Sequence, residues 1–264
     1  MTLRALFVAI PALCAAQSGF TQPMTAAAVI ETAAEALGMV RGAVRRMDSI
    51  NTVQFSGRGT LSVPEADGRW TSFEITDTTV GMSYFIPAMR WDMNRIGPNG
   101  NEQRTIRVVR GDQAWDERLP GVDPTPATDQ APRRLRQIWL TPHGIIRAAV
   151  EAEAAAPGSV LFTTQHGQPS LAVNIDGTLV STTLSADYRP ERVEMTIEHP
   201  LLGITLVEAI YADYVDWQKL DVFFPSSIVH RLGGETTLDM TVTAFFQNPY
   251  VVFPTPEQLS RSSQ

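Results

Sequence analysis

Between residues 52 and 246 the chain is written in short runs of alternating apolar and polar residues joined by tight turns, a pattern that admits few folds. In 52–63, Val53, Phe55, Gly57, Gly59, Leu61 and Val63 fall on one side, and Gln54, Ser56, Arg58, Thr60 and Ser62 on the other. That is the period of a strand with one dry and one wet face. The two glycines on the dry side leave room for a close approach or allow a bend. Further strands are predicted over 70–79, 81–96, 103–110 and 113–118, with Pro87 marking a bend or an edge. A second series covers 160–165, 170–175, 179–186, 192–198, 204–215, 220–231 and 236–246. Asp67-Gly68, Gly111-Asp112, Asp176-Gly177 and Gly233-Gly234 supply turns between them. In the last run Leu238, Met240, Val242, Ala244 and Phe246 should share the dry face.

Short turns imply antiparallel neighbours, and about 11–12 strands in one sheet would curl rather than lie flat. One stretch breaks the pattern. Over 134–150, Leu135, Ile138, Trp139, Pro142, Ile145, Ile146 and Ala149 recur at helical spacing, with Arg133, Arg136 and Arg147 largely off that face. Thr141-Pro142 interrupts the run, Thr as a cap and Pro at a first helical position, so two short helices should meet near Thr141. A further helix is predicted over 24–47, weakened by Gly38 and Gly42. The stretch 119–132, rich in proline and small polar residues, is expected to be an irregular crossing loop. The fold class is therefore mainly β with helices (α+β), a strongly curved antiparallel sheet or incomplete barrel closed by helices. One domain is expected over 24–250, with lid or plug helices over 133–152 and a polar tail over 251–264.

A net charge of −7 argues against nucleic acid and against electrostatic docking on anionic lipid. Residues 1–16 have the form of a secretory signal: Arg4, a short apolar run, then small residues before a cleavage point after Ala16. The alternative is an N-terminal helix that stays on. Cys14 is the only cysteine and would leave with the signal, or would serve as a lipidation site. A mature chain without cysteine suits an exported, periplasmic protein. No later run is long enough for a transmembrane helix.

Motifs for chemistry are missing. The histidines, His143, His166, His199 and His230, are scattered, with no second ligand at metal spacing. There is no Gly-x-Ser-x-Gly elbow and no phosphate loop. His143, after Thr141-Pro142, is read as a capping or core-edge histidine, with a proton-linked switch as the alternative. Glu208 lies among Ile204, Leu206, Ile210 and Ala212, so it either meets a polar group inside a cavity or is turned outward by a β-bulge. Trp91, Trp115, Trp139, Ile146, Met195, Leu206, Met240 and Phe246 are the candidates for an apolar cavity wall.

Several segments carry a resemblance: RVVRGDQAWDE at 107–117, RRLRQIWLTPHGIIRAAV at 133–150, the run over 215–234 that includes FPSSIVHRLGG, and TLDMTVTAFFQNP at 237–249. They resemble the non-catalytic region that precedes the catalytic domain in exported bacterial metallo-β-lactamase-fold hydrolases. The resemblance covers most of the chain and implies a fold similar to the half-barrels of bacterial lipoprotein carriers and receptors. The His-x-His-x-Asp-His run of those hydrolases is absent from this sequence, so the resemblance carries over no zinc ligand. The expectation is a periplasmic, non-enzymatic module without cofactor that holds an acyl chain or other lipid. The alternative is an interaction protein that docks on a hydrolase or another envelope protein.

Overall fold

The computed structural model describes residues 24–40, 50–251 and 253–256. The expected signal, the second half of the helix predicted over 24–47, and most of the tail lie outside the described residues.

Thirteen strands form one open antiparallel sheet. In chain order they are β1 (Thr52–Pro64), β2 (Trp70–Ser83), β3 (Ala88–Ile96), β4 (Glu102–Arg110), β5 (Gln113–Glu117) and β6 (Thr125–Pro126), then β7 (Leu161–Gln165), β8 (Gln168–Ile175), β9 (Thr178–Leu184), β10 (Pro190–His199), β11 (Gly203–Asp216), β12 (Phe223–Leu232) and β13 (Glu235–Gln247). Strands adjacent in sequence pair, except β6 and β7, and β1 pairs with β13 to join the two series at the centre. The edges are β6 and β7. The chain crosses from one edge to the other through α2 (Ala131–Trp139) and α3 (Pro142–Ala155), while α1 (Ala26–Ala36) packs against α3 and β8. The short β6 falls in the stretch read as a loop. Its Pro126 suits an edge position, where a missing N–H breaks no ladder.

The helix-covered face carries the main core, including Val53, Phe55, Met89, Ile138, Ile145 and Phe224. The predicted corner forms: α2 ends and α3 starts at Thr141, whose hydroxyl accepts from the Gly144 amide at 3.2 Å. Arg147, expected off the apolar face, is instead 6% exposed. Its guanidinium reaches the Ile50 carbonyl (3.4 Å), the Asn51 side chain (3.2 Å) and Glu151 (2.7 Å), so it clamps α3 to the start of β1.

Three strand details depart from simple alternation. First, β2 runs on to Ser83 and the break falls at 84–87, because Gly81 stays in the ladder opposite Arg90 while Pro87 sits in the turn. Second, Ser56 faces Ala244 but Gly57 faces Val242, so Thr243 is the extra residue of a bulge. The parity of β13 flips there. Phe245 points into the core and Phe246, expected inside, is 44% exposed on the other side. The glycines of β1 serve the same irregularity: a Cβ on Gly59 would lie 1.9 Å from the Asp239 carbonyl oxygen, and one on Gly57 would lie 2.7 Å from that of Thr241. Third, β11 turns Thr205, Ala209 and Tyr211 to the core, leaving Ile204 and Leu206 outside. The phase of β13 is testable. Phe246→Ser should change unfolding free energy by no more than about 0.5 kcal/mol, as at an ordinary surface position, when followed by urea denaturation.

A second, smaller apolar cluster lies on the outer face. Ala88, Ile106, Val108 and Trp115 are covered there by Phe253, and Arg110 donates to the Phe253 carbonyl at 3.0 Å.

Candidate functional site

The site is built from α2 upward. Arg134 is buried beneath the helix, donating to the carbonyls of Val108 (2.9 Å) and Trp115 (2.7 Å) and to Asp116 (2.6 Å). These bonds fix α2 over β4 and β5. The far end of α2 is held by hydroxyls: Thr141 donates to the Ile138 carbonyl at 2.7 Å and Tyr211 to the Leu140 carbonyl at 2.5 Å. Since the Thr141 proton is spent on Ile138, Tyr84 is the donor in its 3.0 Å contact with Thr141. Burial raises both tyrosines well above their ordinary values, so they remain neutral donors.

Between α2 and the sheet a cavity of about 230 Å3 opens to solvent. Leu61, Trp91, Leu140, Met195, Val207 and Leu238 form its apolar wall. Trp91 belongs to β3 and Met195 to β10, six strands apart in the sheet order. On a flat sheet that separation would be about 29 Å, so the sheet curls round to bring both residues to one cavity. The Trp91 indole is fixed by donating to Thr78 at 2.9 Å. A neighbouring cavity of about 400 Å3, on the side of the β8–β9 hairpin, is walled by Leu135, Trp139, Ile175 and Val180. The two cavities share Arg136 and Met195. Deeper inside only about 30 Å3 remains, over Phe55, Met82 and Met240.

The polar lining of the opening under α2 is cationic. Arg107, Arg133, Arg136 and Arg231 line it together with His199 and His230. Burial, and then the charge of Arg134, hold Arg107 and Arg133 below the ordinary arginine range. Burial and Arg133 lower His199, and burial brings His230 down to about 4.

The expected wall residues divide. Trp91 and Met195 line the opening, Met240 its floor, and Trp139 the adjoining cavity. Ile146 is fully buried in the core. Trp115, Leu206 and Phe246 do not belong to the site. Trp115 is sealed in the outer cluster, where its indole donates to Glu117 at 2.8 Å, and the other two are exposed. Glu208 lies on the outer face too, but is only 8% exposed, covered by Arg192 at 3.2 Å; its companions Ile204, Leu206, Ile210 and Ala212 share that face, so no bulge is needed. His143 neither caps α3 nor sits at the core edge. Thr141 is the cap, and His143 is wholly buried between Phe224 and Phe245, each ring centroid 6.0 Å away. Neither of its nitrogens makes a hydrogen bond among the described residues. Burial lowers it to about 4, opposed in part by the nearby Leu37 carbonyl, which bonds the Phe223 amide instead.

The arginines were not singled out by sequence. A usable signal exists for Arg107: it alternates with Ile106 and Val108, which lie on the outer face, and so points to the helix-covered side.

No known family model matches the chain, and no curated protein matches it in sequence. Among the described residues no group of three His, Cys, Asp or Glu side chains could hold a metal ion, and no helix is long and apolar enough to cross a membrane.

Proposed function

We propose that the protein is an exported, periplasmic binding module that holds an acyl chain or similar hydrophobic ligand between a half-barrel sheet and α2. The observation that carries this reading is the opening under α2, where apolar residues from both wings of the sheet converge on space that the core leaves unfilled. The arrangement is similar in plan to the half-barrels of lipoprotein carriers, an analogy of fold rather than of function. The cavity of about 230 Å3 is smaller than the roughly 300–1,000 Å3 of drug-sized sites. A long chain would therefore extend into the adjoining space past Met195, with α2 as the wall above it. Burying about 200 Å2 of apolar ligand surface gives about 5 kcal/mol before ordering costs, which is submillimolar binding at best.

A fluorescent fatty-acid probe should bind saturably to the purified protein. Met195→Trp, which fills the junction of the two cavities, should weaken binding at least about tenfold. Leu206→Ser, on the outer face, should leave it unchanged. Absence of saturable binding, or equal damage from both substitutions, would sink the proposal.

A second reading has its own observation. Ile204 is 84% exposed and shares the outer face with Leu206, beside exposed Leu201 and Leu202. Contiguous exposed apolar residues of this kind mark docking surfaces. If an envelope partner binds there, Ile204→Thr combined with Leu206→Thr would abolish its retention while probe binding persists.

A further inference from the structure

We infer that the ligand is an anionic amphiphile, its apolar chain against Trp91 and Met195 and its carboxylate or phosphate head held by Arg107, Arg133 and Arg136. This rests on the binding-module reading and adds the class of ligand to it.

The charge pattern is the first support. The chain as a whole carries −7, yet the polar lining of the opening under α2 is dominated by guanidinium groups. Arg107 is the telling member. Its strand turns Ile106 and Val108 to the outer cluster, so Arg107 points to the helix-covered side of the sheet and is half-buried at the opening. A buried charge is costly unless it is paired. The acid nearest in effect to Arg107 is Asp116, which is already bound to Arg134 at 2.6 Å. Asp129 and Asp116 are the acids that act on Arg133, and neither forms an ion pair with it. Arg231, opposite Glu208 in the β11–β12 register, shares the outer face with it and takes no part in holding the head group.

The site therefore holds like charges together in partly desolvated surroundings, and the carboxylate opposite Arg107 in the β4–β5 register, Asp116, is engaged by Arg134. An anion relieves that arrangement, and planar guanidinium forks suit carboxylate and phosphate oxygens in particular. His199 and His230, both held below the ordinary histidine value, are neutral near pH 7 and can still donate. The apolar wall immediately beneath makes a bare inorganic anion a poor fit. A molecule with an anionic head and an apolar body satisfies both halves.

The test is calorimetric titration of the whole protein with ligands that share one chain and differ in the head: lauric acid, lauryl phosphate, lauryl alcohol and lauryl trimethylammonium, each below its micelle concentration. Inorganic phosphate is titrated alone. Lauric acid and lauryl phosphate should bind at least about tenfold tighter than the alcohol, the ammonium compound should bind weakest, and added salt should weaken the anions selectively. Arg107→Met combined with Arg136→Met should collapse the acid-to-alcohol preference to about one. If alcohol and acid bind equally, the anionic class is wrong while the binding module stands. If inorganic phosphate binds as tightly as lauryl phosphate, the amphiphile is wrong and the site is a plain anion site. If none of the lauryl compounds binds, both readings fall.

Discussion

Gly144→Ala should lower the unfolding free energy by about 3–5 kcal/mol, the reverse of what the same change does on an exposed helix. In a solvated helix interior, alanine in place of glycine gains up to about 1 kcal/mol of propensity. Here Gly144 is the third residue of α3, and a Cβ would stand 2.1 Å from the Ile138 carbonyl oxygen and 2.7 Å from the Thr141 hydroxyl. The nearest obstacle is backbone, so no rotamer change removes the clash. Relief requires α3 to move away from the end of α2. That movement breaks a connected set of bonds: the Thr141 cap on the Gly144 amide, the Thr141 donation to Ile138, and the Tyr84 contact with Thr141. A lost cap costs about 1 kcal/mol, a buried group left without its partner about 1–3 kcal/mol, and overpacking of a filled interior a further 1–3 kcal/mol. Sterics therefore outweigh propensity. Urea denaturation of the purified variant decides the matter; a variant as stable as the parent would mean that α2 and α3 do not meet as closely as described.

The same corner shows what a one-dimensional reading reaches. Thr141-Pro142 announced itself because both residues have strong local preferences, a hydroxyl that caps and a ring that fits a first helical turn. Strand β1 was equally legible, since its two faces differ sharply in polarity. Strand β11 was not. In 204–211, the sets Ile204, Leu206, Ile210 and Thr205, Val207, Ala209, Tyr211 are both largely apolar, so parity is undetermined until β10 and β12 supply neighbours. The bulge at Thr243 had no signal of its own, because threonine is an ordinary strand residue and the extra position is defined only by its pairing with β1. The size of Trp115 suits a cavity wall, yet size does not tell which face of a strand a tryptophan occupies. The arginines of α2 failed for a related reason. Arg134 is buried because carbonyls 26 and 19 residues earlier in the chain wait beneath it, and helical periodicity carries no information about them. The candidate site was thus half visible: its apolar wall in part, its cationic lining not at all.

Acidification should destabilise the protein between about pH 6.5 and pH 4, with His143 as the main cause. In the folded chain His143 is fully buried, unbonded at both nitrogens and stacked against Phe224 and Phe245. Burial lowers it from 6.5 to about 4. The sign follows from proton counting. Above pH 6.5 the imidazole is neutral in both the folded and the unfolded chain, and its titration contributes nothing to the difference. As pH falls below 6.5 the unfolded chain takes up a proton that the folded core refuses, so unfolding becomes easier. The loss amounts to about 1.4 kcal/mol per pH unit and reaches about 3 kcal/mol by pH 4, below which the folded state is protonated too and the slope ends. His230 is lowered in the same direction, but it lines the solvent-open cavity, and water there reduces its share. His143→Phe keeps a ring between Phe224 and Phe245 and removes the group that must stay neutral. Urea denaturation of this variant at a series of pH values should show most of the slope between pH 6.5 and 4 abolished. At pH 7 it should show a gain of about 1 kcal/mol from replacing an unbonded polar group with an apolar one. Retention of the full slope in the variant would place the proton uptake elsewhere. A slope of opposite sign would mean that the core stabilises the charged imidazole, with the Leu37 carbonyl outweighing the burial that opposes it.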